Sequence, residues 1–233
     1  MRTTLYLEYG EAEITHLKAK DAALGKVIDQ VGRVSREVIP DTFMALVNSI
    51  IGQQISTKAQ ITVWQRAQTM FDPMTPEHIH SLPAEAIQTC GISMRKALYI
   101  KEIAASVIKG DLDLAALHSM DDDAVCKRLS EIKGIGVWTA EMLMTFSMQR
   151  MNVLSWGDLA IQRGLRMLYR HRKITPAICA KFKRRYSPYS TIASLYLWEL
   201  AGGACQGYSD PAPRTEARKK KAIKKKRGMR ANT

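Results

Sequence analysis

The chain has 233 residues, 46% hydrophobic and 24% charged, enough to bury one large or two small cores. No apolar run reaches the length of a bilayer span and no apolar leader follows Met1, so a protein of the cell interior with no membrane partner is expected. Cys90, Cys126, Cys179 and Cys205 are scattered without a Cys-x-x-Cys pair, which reads as reduced thiols rather than disulfides or zinc ligands. The net charge of +13 is uneven: from Arg214 onwards ten Lys/Arg face one Glu216, which leaves only +4 for residues 1–213. That terminal segment lacks apolar periodicity and is expected to be a disordered basic tail, residues 214–233. Either it only solubilises the chain, or it attracts polyanions.

In chain order, Thr3–Leu7 alone has strand-like composition and is too short to build a sheet. Leu24, Val27, Ile28 and Val31 follow helical spacing after Asp21 as N-cap. Phe43, Leu46, Val47, Ile50 and Ile51 repeat it after Asp41-Thr42. Asp72-Pro73-Met74-Thr75-Pro76 is a turn, and Thr75-Pro76 and Thr175-Pro176 each put proline at the first helical position. Ser93 caps a helix with Ile100, Ile103, Ala104 and Val107 on one side, stopped by Gly110. Ser119-x-x-Asp122 resembles a capping box for a short helix. The fold class is all-α.

The most informative stretch is Ile132-Lys133-Gly134-Ile135-Gly136-Val137-Trp138-Thr139-Ala140, with Asp158 twenty residues beyond the tryptophan. A Gly-x-Gly hairpin opening into a helix leaves unpaired N–H groups at the positive end of the helix dipole. Glycine there lets a phosphodiester come close. Asp158 can cap the helix that follows it, whose N-terminus also favours the charged carboxylate. His78-x-His80 lacks a third ligand at metal spacing and reads as surface histidines.

With Trp-Thr-Ala after the hairpin and a carboxylate at this distance, the chain resembles the helix-hairpin-helix DNA glycosylase superfamily. Further blocks follow in order. Ser49-Ile50-Ile51-Gly52-Gln53-Gln54-Ile55-Ser56 is similar to the family's Gly-Gln-Gln-x-Ser segment, and Gly91-Ile92-Ser93 with Lys96 and Tyr99-Ile100 to a helix start. Ser187-Pro188-Tyr189-Ser190-Thr191-Ile192-Ala193 with Tyr196-Leu197-Trp198 is similar to the C-terminal block. The alkylation-repair type, 3-methyladenine DNA glycosylase II, matches best.

The resemblance implies two helical bundles flanking a DNA-binding cleft. One would comprise residues 42–150 with the hairpin, the other residues 1–41 plus 151–213. It makes Asp158 the catalytic carboxylate. Gly157 stands where some relatives carry a second acid, which puts a second carboxylate role in doubt. Trp138 and Trp198 would line a pocket for a cationic purine, unless they are ordinary core filling. Met142 stands where relatives have a tyrosine, implying a less aromatic pocket. Gln53, Gln54 and Ser56 would contact DNA, with Gln54 as the wedge that fills the gap left by an extruded base. A polar helix end would suit both glutamines equally. Lys133, Gly134, Gly136 and Thr139 would hold the backbone. The main-chain carbonyls of Ser130, Ile132 and Ile135 would hold a monovalent cation; no cofactor is otherwise required. Only Cys205 lies in the region where other relatives cluster four cysteines, so no iron–sulfur cluster is expected.

In relatives that also cut the backbone, a lysine occupies the position of Trp138 and attacks C1′. Tryptophan has no such nucleophile. The implied activity is therefore a monofunctional glycosylase, acting as a monomer on double-stranded DNA with alkylated purines such as 3-methyladenine and 7-methylguanine. The compartment would be the cytoplasm and nucleoid, or the nucleus in a eukaryote. The rivals are a bifunctional glycosylase/lyase and a non-catalytic helix-hairpin-helix DNA-binding protein. The second needs neither Asp158 nor Gln53-Gln54.

Overall fold

A computed structural model describes residues 4–212, so the basic segment 214–233 lies outside the described residues. Among them the order is β1 (Leu5–Tyr6), α1 (Glu11–Lys20), α2 (Ala22–Val31), β2 (Glu37–Val38), α3 (Thr42–Gly52), α4 (Thr57–Met70), α5 (Pro76–Ser81) and α6 (Ala84–Gln88). Next come α7 (Met94–Ile108), a 3₁₀ turn (Ala116–Ser119), α8 (Asp122–Ser130), α9 (Val137–Phe146), α10 (Leu159–Tyr169), α11 (Pro176–Tyr186) and α12 (Ser190–Gly202). The fold is helical, as the spacing predicts.

The caps are largely those that local chemistry dictates. The side chains of Asp21, Asp41, Ser93, Thr75 and Thr175 accept first-turn amides of their helices. Two local expectations need correction. Asp121, not Ser119, caps α8, accepting the Ala124 amide at 2.8 Å. Ser119 is occupied in the preceding turn, where its hydroxyl donates to the Ala116 carbonyl at 2.8 Å. The N-terminal strand does find a partner: Leu5 pairs with Val38 and Tyr6 with Glu37 in an antiparallel ribbon. The ribbon is only two residues long on each side, below what periodicity in sequence can register.

The apolar side chains fall into two clusters. One runs from Phe43 to Val153 and centres on Leu46 and Ile50 of α3, Ile100 and Ile103 of α7, Leu129 of α8 and Leu143 of α9. The other combines Leu7–Val38 with Leu154–Cys205, using Leu24 and Val27 of α2, Ile161 and Leu165 of α10, and Leu197 and Leu200 of α12. Gly164 lets α10 and α12 cross closely, since a Cβ there would lie 2.5 Å from the Leu197 carbonyl oxygen. The passage between clusters is stitched by α12. Thr191 donates its amide to the Met151 carbonyl at 3.0 Å and receives the Val153 amide on Oγ1, also at 3.0 Å.

Asp21 ties the N-terminal segment to the C-terminal helices. Its Oδ1 caps α2, while Oδ2 accepts from Tyr169 and Arg185, each at 2.7 Å. Tyr169 and Tyr186 share a 2.5 Å hydrogen bond behind it.

Candidate active site and nucleic-acid interface

The loop between α8 and α9 is a tight turn in which the Ile135 amide donates to the Ile132 carbonyl at 2.9 Å. Ile135 points into the first core and anchors it. The two glycines do different jobs. Gly134 has φ +90°, and a Cβ there would meet the Tyr99 ring at 2.6 Å, so the fold itself requires glycine. Gly136 has φ −91°, with nothing inside the protein within 4 Å of where a Cβ would stand. It is also the N-cap of α9 and supplies no side-chain cap. The amides of the first turn therefore have no side-chain cap.

The other expected interface residues sit nearby, in unequal roles. Gln53 turns inward: its Nε2 donates to the Gly134 carbonyl at 2.7 Å, joining the end of α3 to the hairpin. Lys96 closes the same corner, donating to the carbonyls of Ile51 (2.9 Å) and Gln53 (2.7 Å). Burial, then the charge of Arg95, pulls the Lys96 pKa down. Gln54 is exposed in the left-handed region at φ 58°, projecting from a corner that its neighbours fix. Ser56 is exposed and caps α4 through the Ala59 amide at 3.3 Å. Lys133 is exposed, 3.1 Å from Glu102 and 5.6 Å above the Tyr99 ring. Thr139 departs from expectation. In the first turn of α9, between the exposed Trp138 and the buried Ala140, it is only 8% exposed. Of the three carbonyls, that of Ser130 ends α8 and those of Ile132 and Ile135 lie in the hairpin, Ile132 already accepting one hydrogen bond.

Asp158 stands at the N-terminus of α10. Its Oδ1 accepts the amides of Ala160 and Ile161 at 2.8 and 2.9 Å, and its Oδ2 accepts Trp138 Nε1 at 2.9 Å. Three donors and a helix dipole thus converge on one carboxylate. Trp138 is 48% exposed, so it is not core filling, and its indole N–H is fixed on Asp158. Trp198 is half-buried, stacked on Phe146 with ring centroids 5.6 Å apart, and Met142 is partly exposed on α9. Sequence spacing missed Trp156 (46% exposed) and Leu159 (78%), two apolar side chains bracketing Asp158. A tryptophan two positions from the carboxylate is the signal that could have found the first.

All four cysteines are free thiols, and burial pushes Cys179 up to about 11. Among the described residues no group of three His, Cys, Asp or Glu could hold a metal ion. Among them too, no helix is long and apolar enough to cross a membrane.

With this geometry in view, the comparisons fall in line. The profile of the HhH-GPD superfamily of base excision DNA repair proteins matches residues 47–196. A DNA-3-methyladenine glycosylase 1 of Schizosaccharomyces pombe is 32% identical over 199 residues, covering 82% of this chain and 87% of the relative. The crystal structure of a DNA-3-methyladenine glycosidase from Bacillus halodurans superposes with a TM-score of 0.75 at 34% identity, covering 89% of this chain and 96% of that one. An S. pombe 3-methyladenine DNA glycosylase in complex with abasic DNA gives a TM-score of 0.71 at 30% identity, covering 82% and 97%. The chain belongs to the HhH-GPD superfamily of base excision DNA repair proteins.

Proposed function

We propose that this protein is a monofunctional DNA glycosylase that hydrolyses the N-glycosidic bond of alkylated purines, of the 3-methyladenine and 7-methylguanine type. The observation that carries the reading is Asp158, fixed by two amides and the exposed Trp138 indole. Cleavage of the C1′–N bond builds positive charge on the sugar, which a carboxylate stabilises as the bond breaks. The base leaves with the bonding electrons, water adds at C1′ and releases a proton to solvent, and an abasic site remains. A cationic alkylated purine is already a good leaving group, and it stacks on electron-rich faces such as that of Trp138. Trp198 and Met142 would complete the pocket.

The amides behind Gly136 would take a phosphate, and Gln54 would fill the gap left by the extruded base. The carbonyls of Ser130, Ile132 and Ile135 are hard oxygen donors and fit a monovalent cation, which would add positive charge beside the phosphate. The protein would act as a monomer on double-stranded DNA of the nucleoid or nucleus, and the basic segment beyond Arg214 would add non-specific affinity.

The test is base release from methylated duplex DNA, with 3-methyladenine, 7-methylguanine and 1,N6-ethenoadenine quantified separately. Release of methylpurines with strands intact until alkali treatment is expected. No release of any of the three would overturn the reading.

A further inference from the structure

Glu141 lies three residues beyond Trp138 on α9, and nothing in the proposed chemistry uses it. Its side chain is partly buried, and its Oε2 accepts the hydroxyl of Ser155, a residue only 1% exposed. Burial pushes its pKa up; the Ser155 bond and the charge of Lys183 act against this, while Asp158 adds to it. Taking a carboxylate partly out of water costs free energy, which the Ser155 hydrogen bond offsets.

The arrangement here is the loop that delivers Asp158. The Ser155 carbonyl accepts the Asp158 amide at 3.4 Å. A Cβ on Gly157 would stand 3.7 Å from Trp138 Cβ and 3.9 Å from Ser155 Oγ, so the loop folds directly over the start of α9. Gln162 Nε2 holds its other side through the Trp156 carbonyl at 2.7 Å. Helix α9 therefore grips the loop at two polar points, Trp138 on Asp158 and Glu141 on Ser155. The buried face of α9 belongs to the first core, while α10 belongs to the second. The Glu141–Ser155 bond thus crosses the junction of the cores beside the reacting carboxylate.

We propose that Glu141 is a positioning residue for base excision: by accepting from Ser155 across that junction, it sets where Asp158 stands relative to α9 and the hairpin. The proposal rests on the reading of Asp158 as the catalytic carboxylate. Misplacement by about 1 Å can cost up to roughly 100-fold in rate.

The experiment measures single-turnover release of 7-methylguanine at saturating full-length protein, affinity for a duplex carrying a tetrahydrofuran abasic analogue, and Tm. Glu141→Ala and Ser155→Ala should each slow release by roughly 10-fold or more, with affinity unchanged. The double variant should be no slower than the worse single one, because both remove the same bond. Glu141→Gln keeps an oxygen acceptor and should restore most of the rate. Native rates in Glu141→Ala, additive losses in the double variant, or losses matched by weaker DNA binding would overturn the proposal. Should Glu141→Ala fail to fold, a native rate in Ser155→Ala does so instead. Asp158→Asn serves as the control. A near-native rate there removes the reading of Asp158 whatever Glu141 does, whereas an inactive Asp158→Asn beside a native Glu141→Ala removes Glu141 alone.

Discussion

Trp138 donates its indole N–H to Asp158 Oδ2 at 2.9 Å, so an exposed aromatic face and the carboxylate at the start of α10 are one unit. The remaining oxygen of Asp158 is committed to two backbone amides. Neither side chain can move without disturbing the other.

Substitutions in this pair should be graded. Asp158→Asn removes the charge that meets the cationic sugar and should lower the single-turnover rate by about 100-fold or more, with DNA affinity nearly unchanged. Trp138→Phe keeps an aromatic face but loses the N–H, and should cost about 10-fold. Rapid-quench base-release assays at saturating protein distinguish the two, and equal losses would contradict the separation of roles.

Strand cleavage should be absent. Trp138 has no amine, and Lys133 is engaged on the outer side of the hairpin with Glu102 and Tyr99. Borohydride treatment during turnover should give no covalent protein–DNA adduct on denaturing gels. A strong adduct would mean that a lysine reaches C1′.

The hairpin glycines should respond oppositely. Gly134→Ala meets the Tyr99 ring in a left-handed backbone and should lower Tm. Gly136→Ala clashes with nothing in the protein and should leave Tm unaltered, while weakening DNA binding by crowding a phosphate. Thermal melts and fluorescence anisotropy with duplex DNA check both. Unimpaired DNA binding in Gly136→Ala would remove this turn from the interface.

Asp21 should govern acid stability. Burial opposes its ionisation, but hydrogen bonds from Arg185, the Leu24 amide and Tyr169 outweigh it, and its pKa lies below the usual carboxylate value. A lowered folded pKa gives stabilisation that is complete above the unfolded value, near pH 4, and lost as pH falls through the folded one. Asp21→Asn keeps a cap but removes the charge. It should cost about 2 kcal/mol at pH 7, discounted for the partly exposed Arg185, and flatten the stability loss below about pH 4. Urea unfolding at pH 3 and pH 7 tests this; parallel losses in both proteins would contradict it.

Most helix starts were legible because a cap and its amides lie within three residues, as at Asp41, Ser93 and Thr175. Asp158 was legible as a cap for the same reason, while the catalytic role proposed for it came from the resemblance to the glycosylase family and not from spacing. The tertiary partners were not. Nothing in Gln53 announces that it faces a carbonyl 81 residues away, or in Thr139 that its helix face is buried. The exposure of Leu159 was equally hidden, since an apolar residue beginning an amphipathic helix reads as core. Glu141 carried no signal at all. A lone acid on an apolar helix acquires meaning only when Ser155 is folded onto it.

Gln53, Lys96 and Tyr99 pack the corner that carries Gln54 against the turn proposed to take a phosphate, so the two would meet a duplex at an unvarying spacing. Under the wedge role proposed for Gln54, holding and probing then become a single act during search. Every seating on DNA presses the same side chain against one base step. A sound, well-stacked pair resists and the protein moves on, whereas a pair loosened by damage yields. Discrimination would thus begin in the stiffness of the duplex, before any base has reached Trp138.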